Sequence, residues 1–233
     1  MIIRARFTKR NYLKYLSHLD LIRLFQRSFT AIKLPIKYSQ GFNPHPKFSI
    51  AAPLSLGIES ECEYMDIEIT EYVKVDDFLE SINKVLPDDI QITNALCLEK
   101  ETSISAILTW AFYEIKFELN SKEEPKSLSS RIDEWLGSSE IILTRLKKKG
   151  KKKVATDINI LPLIGNVIVK GCDENNYIVI NTLLKTGQNG NIKPVQLMEA
   201  MSRDLDLNLD LDSLLIKRLA LYAEEGKNIY SPL

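Results

Sequence analysis

The densest group of chemically capable side chains lies in Tyr38-Ser39-Gln40-Gly41-Phe42-Asn43-Pro44-His45-Pro46-Lys47. An imidazole, a phenol and an ammonium stand close together there. Such a set can bind an anion or move a proton in general acid–base chemistry. Prolines lock φ on either side of His45, and Gly41 and Asn43-Pro44 favour turns, so the backbone carrying these groups is stiff. Stiffness matters because a site must hold its side chains without ordering them afresh at each encounter. On residues alone, Tyr38, Asn43, His45 and Lys47 fit a proline-rich crossover, an anion site or a catalytic group.

His18 is the second candidate. It opens a helical pattern, where unpaired backbone N–H groups and the positive end of the dipole favour an anion. Arg23 and Arg27 follow one turn apart on the same helix and extend a basic stripe, which Asp20 opposes. The third feature is Arg145-Leu146-Lys147-Lys148-Lys149-Gly150-Lys151-Lys152-Lys153, seven cations in nine positions. Folding gains nothing from such repulsion. A turn carrying Lys147, Lys148, Lys149, Lys151, Lys152 and Lys153 suits sequence-tolerant contact with a phosphate backbone, or is a solvated loop.

Absences narrow the chemistry. No phosphate-loop or dinucleotide-binding glycine pattern is present, and two histidines make no zinc set. Cys62, Cys97 and Cys172 are far apart and odd in number, so a disulfide framework or Cys-x-x-Cys knuckle is not expected. No cofactor is expected, and radical or electron chemistry would need another chain.

The 233 residues, 45% hydrophobic, can bury a sizeable core. No apolar run approaches the roughly 20 residues that span a bilayer, and cytoplasmic residence is the expectation. Net charge is zero but segregated. Residues 1–53 carry ten Lys/Arg against Asp20 alone, and residues 54–105 carry thirteen Asp/Glu against three Lys. Either one surface faces a polyanion, or the two segments pair within the fold.

These groups need elements to position them. Residues 2–8 alternate as a half-buried strand, with Ile3, Ala5 and Phe7 inward. Ser17-His18-Leu19-Asp20 resembles a capping box and starts a helix over about 18–33, which Leu34-Pro35 ends. An extended stretch follows to Gly57. Residues 64–70 alternate again, with Met65, Ile67 and Ile69 inward and Tyr64, Asp66, Glu68 and Thr70 outward. A helix over 75–85 and a strand over 90–98 complete a βαββαβ order. A weaker copy follows: strand 110–119, helix 125–136, strand 140–146, strands 163–170 and 177–184, and helix 194–201. Residues 214–222 read as strand or helix. The expected fold class is α+β, two tandem ferredoxin-like (βαββαβ) units with antiparallel sheets, at 1–100 and 109–233. The open sheet face of the first unit is a poor RNA platform. Arg4 and Arg6 would pair with Asp66 and Glu68 across strands, and only Tyr64 offers an outward ring.

The run Tyr15-Leu16-Ser17-His18-Leu19-Asp20-Leu21, then Leu34-Pro35 and Tyr38-Ser39-x-Gly41-Phe42-Asn43-Pro44-His45-Pro46-Lys47, resembles the signature of a bacterial family of radical-SAM-associated proteins of unknown function. Ala52-Pro53-Leu54 and Glu63-Tyr64 also fit, and Asp157-Ile158 and Arg218 fit more loosely. The resemblance implies an accessory module that presents an RNA or protein substrate to a radical SAM enzyme, with no reaction of its own. A fainter likeness is to the CRISPR repeat-processing endoribonucleases, which are tandem ferredoxin-like proteins. It implies a metal-independent nuclease using His45, Tyr38 and Lys47. The glycine-rich loop of those enzymes is missing, Gly187-Gln188-Asn189-Gly190 being a poor substitute. A protein-binding scaffold is the remaining alternative.

Overall fold

The structure, a computed structural model, describes residues 1–99, 102–118, 124–149, 152–226 and 228–233, with the side chains of 146–149, 152 and 153 outside that set. In chain order the elements are β1 (Ile2–Lys9), α1 (His18–Ala31), β2 (Phe48–Ile50), β3 (Glu59–Glu68), α2 (Val75–Asn83), β4 (Ile92–Leu98), α3 (Ile104–Ile107), β5 (Leu108–Phe117), α4 (Pro125–Leu136), β6 (Ile142–Lys149), β7 (Lys152–Asn159), β8 (Ile164–Cys172), β9 (Ile178–Lys185), α5 (Pro194–Asp204), β10 (Leu215–Glu225) and β11 (Asn228–Tyr230). The fold is mixed α+β with mostly antiparallel strand pairing. The chain divides into two compact units, 1–110 with 217–233, and 111–216. Residues after Ile216 therefore pack with the first unit, while the sequence pattern had grouped them with the second.

In the first unit, β1 lies between β4 and β3 and pairs antiparallel with both, and β2 pairs antiparallel with β3. The core is the face formed by Ile3, Ala5, Phe7, Met65 and Ile67, closed by α1 and α2. An edge-to-face and stacked chain of rings runs from Phe7 through Phe25 and Phe29 to Phe48, with centroids 5.0, 5.9 and 5.2 Å apart. Each such pair adds about 1 kcal/mol beyond its buried area. It ties α1 to β1 at one point and to β2 at another. Ser17 caps α1 by accepting from the Asp20 N–H at 3.2 Å. At the other end Lys33 takes a left-handed φ of 54°, and the Leu34 N–H donates to Phe29 O at 3.0 Å. That is the αL stop of a helix, usually made by glycine.

The second sheet face is covered too, which corrects the alternation read from sequence. Tyr64 and Asp66 are buried. Asp66 accepts from Arg4 at 2.9 Å and from the Ile104 N–H at 2.8 Å, and the Tyr64 hydroxyl meets Ser231 Oγ at 3.2 Å. Arg4 pairs across strands as expected. Arg6 does not: it stands opposite Tyr64 and donates to Thr93 Oγ1 at 3.0 Å.

In the second unit β9 lies between β5 and β8, and α4 packs on β8. β6 and β7 form a separate hairpin in full register, Lys149 opposite Lys152 and Thr144 opposite Asp157. Its base is held to the start of α5 by Arg145, which donates to Asn191 O at 2.9 Å and Gln196 Oε1 at 3.0 Å. Residues 215–225 are strand, which settles the choice left open by sequence. Among the described residues no helix is long and apolar enough to cross a membrane.

Candidate functional site

Residues 36–48 leave α1 and form a narrow hairpin docked on the end of β3. The Lys37 N–H donates to Glu68 O at 2.8 Å, the Glu68 N–H to Lys47 O at 2.9 Å, and the Lys47 N–H to Lys37 O at 2.8 Å. These bonds close a ring through three segments, so both arms are fixed to the sheet by main chain alone. Ile36 bridges Ile69, and Tyr38 bridges Pro46. One rung further out, Ser39 and His45 bind each other through the Ser39 N–H to His45 O at 2.9 Å and the His45 N–H to Ser39 Oγ at 3.0 Å. The tip turns at Gly41, whose φ of 128° is open to glycine and strained for other residues. Phe42, Asn43 and His45 are exposed there, and Phe42 is fully so.

Strand periodicity sorts the candidates by face. Lys37 opposite Lys47, and Ser39 opposite His45, lie on one side, while Tyr38 and Pro46 lie on the other. His45 and Lys47 therefore share a face from which Tyr38 is turned away. Glu68 lies beside that face, 3.3 Å from Lys37 Nζ and 3.9 Å from Lys47 Nζ.

The rest of the expected rim lies on α1. His18, Arg23 and Arg27 are all exposed. Arg23 is paired with Asp20 at 3.0 Å, and this guanidinium, with the Ser17 hydroxyl, holds the Asp20 carboxyl below its ordinary range, Ser17 acting most strongly. Among the described residues Arg27, His18 and His45 meet no acid. Phe29 against Phe48 sets one end of α1 beside the hairpin base, and His18 shares a small hollow with Ile50, Pro53 and Leu54. The Phe29 end of α1 therefore adjoins the hairpin base, and His18 lies at the other end of the helix. Of the lysine-rich segment, Lys147, Lys148, Lys149, Lys152 and Lys153 lie on the β6–β7 backbone, their side chains outside the described set, and Lys151 lies outside the described residues altogether.

Much of the basic charge of residues 1–53 is matched by acids of β3. Arg4 meets Asp66, Arg10 meets Glu61, Lys14 meets Glu59 and Lys37 meets Glu68. The internal-pairing reading of the charge pattern therefore holds for these residues. Sequence reasoning missed Lys37 as the partner of Lys47, and passed over Phe42. The available signal was an aromatic residue in a Gly-x-Asn-Pro turn, with no periodic apolar neighbours to pack on.

Below His18 lies a buried ionic group that positions these segments. Arg218 donates to both Glu63 oxygens at 2.8 and 3.0 Å and to Ala52 O at 2.9 Å. Ala52 presents that carbonyl from a left-handed φ of 45°. Lys9 donates to Lys14 O at 3.2 Å and Leu16 O at 2.8 Å. Burial pushes the Glu63 carboxyl up, against the opposing pull of Arg218, and pushes the Lys9 ammonium down. The group clamps the segment before α1 and the turn after β2 onto the sheet.

Fold and site define a mixed α+β protein carrying a main-chain-braced surface hairpin and, on the same unit, a helix with exposed basic residues. The chain belongs to the family described as an uncharacterized protein conserved in bacteria (DUF2344), matched over residues 3–194. That match takes in the whole hairpin. No curated protein matches the chain. A chain in the crystal structure of a Cbf5-Nop10-Gar1 complex is similar at a TM-score of 0.47 and 8% identity, over 93% of this chain and 47% of that one. The protein thus spans about half the length of that chain.

Proposed function

We propose that this protein is a non-catalytic accessory module that binds RNA and presents it to a radical SAM enzyme. The observation that carries the RNA part is the braced 36–48 hairpin, which holds Asn43, His45 and Phe42 in solvent, on the same unit as the exposed His18, Arg23 and Arg27 of α1. Exposed basic groups together with fixed hydrogen-bonding groups are what phosphate and base contacts use. Lys147, Lys148, Lys149, Lys151, Lys152 and Lys153 supply further phosphate contacts. The radical SAM partner rests on the Tyr15–Leu21 and Tyr38–Lys47 signature.

The strand neighbours β4-β1-β3-β2, all antiparallel, support a ferredoxin-like reading of the first unit. In the second, the order β5, α4, β8, β9, α5 with neighbours β5-β9-β8 supports the same reading, with the β6–β7 hairpin as an insertion. The endoribonuclease alternative needs Tyr38, His45 and Lys47 around one phosphate, and the opposed faces of the hairpin disfavour it.

The test is purification of the native chain from its own host. A raised 260 to 280 nm absorbance ratio that ribonuclease abolishes, with a radical SAM chain in the same fraction, is the expected result. A nucleic-acid-free complex with that enzyme would replace RNA presentation by a protein scaffold. Recovery of neither would remove the proposal.

A further inference from the structure

We infer that the hairpin tip is a stacking platform for an unpaired nucleotide, so that the RNA recognised through this site is single-stranded. This rests on the RNA-binding reading and names its substrate class. Among the described residues the exposed aromatic rings are Tyr12, Tyr15, Tyr38, Phe42, Tyr72 and Tyr230, all in the first unit. Phe42 is the most exposed of them, and it stands at the tip of a turn whose neck is fixed. The Ser39–His45 rung and the Lys37–Glu68–Lys47 ring hold the turn that presents it. Covering a phenyl ring removes apolar surface from water, which favours stacking on it.

Electrostatics alone does not make this hairpin a nucleic-acid site, because Glu68 faces both of its lysines. What the tip offers is a planar ring, an Asn43 amide and a His45 imidazole within four residues. This is the set that stacks a base and hydrogen-bonds its edges once the base is splayed out of a helix. In duplex RNA the bases are already stacked on one another and the deep groove excludes side chains. Size argues against a protein occupant of the tip. A stable protein interface needs roughly 20 residues a side around an apolar centre, and a turn of a few polar residues with one ring supplies neither. One ring is enough for one base.

The experiment uses the full chain and fluorescently labelled RNA of about 12 nucleotides, within the usual footprint of such sites, as a single strand and as a self-complementary duplex. The single strand should bind at least about ten-fold more tightly. Phe42→Ala should weaken single-strand binding by about 10- to 100-fold, the loss of one stacked base. It should leave the dependence on salt unchanged, because no phosphate contact is lost. Phe42→Trp should retain binding and Phe42→Leu should not, since the first keeps a planar ring and the second only an apolar surface. Phe42 is fully exposed, so these variants fold, and equal melting temperatures verify it. Duplex bound as well as single strand, or Phe42→Ala or Phe42→Leu bound like the native chain, overturns the inference while leaving RNA binding intact. A Phe42→Ala chain that keeps its RNA affinity but no longer captures the radical SAM enzyme makes the tip a protein contact and overturns it as well. Absence of binding to either RNA at low salt defeats the RNA-binding reading itself.

Discussion

Ser39 and His45 hold each other across the neck of the hairpin through two hydrogen bonds, one main chain to main chain and one from the His45 N–H to the Ser39 hydroxyl. The second bond exists only because residue 39 carries a hydroxyl. Its removal in Ser39→Ala should loosen the tip without unfolding the unit, since the inner ring of main-chain bonds stays. A bond of this kind is worth about 1 kcal/mol, so single-strand RNA affinity should fall about five-fold with the melting temperature unchanged. Calorimetric titration beside thermal melts measures both. An unchanged affinity would mean that the rung does not preorganise the site.

Glu68 lies between Lys37 and Lys47 and dampens them. Glu68→Gln should therefore strengthen RNA binding, an unusual direction for a substitution beside a site. Released from their acid, the two ammonium groups become available to phosphates, and the slope of log affinity against log salt should steepen by about one per added contact. Folding stability should change by less than about 1 kcal/mol, because exposed ion pairs contribute little. Weaker binding in this variant would place the phosphates elsewhere.

Arg218 and Glu63 are a buried pair, their side chains 4% and 2% exposed. Arg218→Met leaves the carboxylate stranded, at a cost of about 3–5 kcal/mol near neutral pH in urea unfolding. Burial already holds the Glu63 carboxyl above its ordinary value of 4.5, and loss of the guanidinium raises it further. Between the unfolded and folded values the folded state holds the extra proton, so stability rises as pH falls through that window. The variant should regain stability on acidification more steeply than the native chain. Parallel pH profiles for the two would deny that Arg218 neutralises Glu63.

Tyr64→Phe tests the covered second face. The hydroxyl that meets Ser231 and the Cys62 side chain is removed, so a loss of about 1 kcal/mol is expected, with faster amide exchange chiefly in β11 and residues 231–233. Faster exchange throughout β3 would show instead that the phenol is part of the sheet core.

Local pattern was legible where local forces decide the outcome. The helix expected over 18–33 is present at His18–Ala31, and that expected over 125–136 is present at Pro125–Leu136, because capping residues and proline mark their ends. The α1 stop came two residues early because Lys33 takes the left-handed turn without a glycine to announce it. Strand β3 begins at Glu59, earlier than its apolar alternation suggests, and Glu59, Glu61 and Glu63 in its first half pair with Lys14, Arg10 and Arg218. Tyr64 and Asp66 were expected in solvent. The segments that bury them arrive from 167 and 38 residues away, at Ser231 and Ile104, and no window of sequence reports that. At the site the stiff loop was legible from Gly41, Pro44 and Pro46. Neither the damping of its lysines by Glu68 nor the opposed faces of Tyr38 and His45 was, since both depend on strand register.

The most direct test of RNA binding is the salt dependence of affinity for single-stranded RNA, native chain against a His18→Ala, Arg27→Ala, His45→Ala variant. The native chain should bind at low salt and weaken as salt rises. The triple variant should bind more weakly, with a slope shallower by about one for each phosphate contact removed. Identical affinities and slopes for the two chains would contradict a nucleic-acid role for this helix and hairpin.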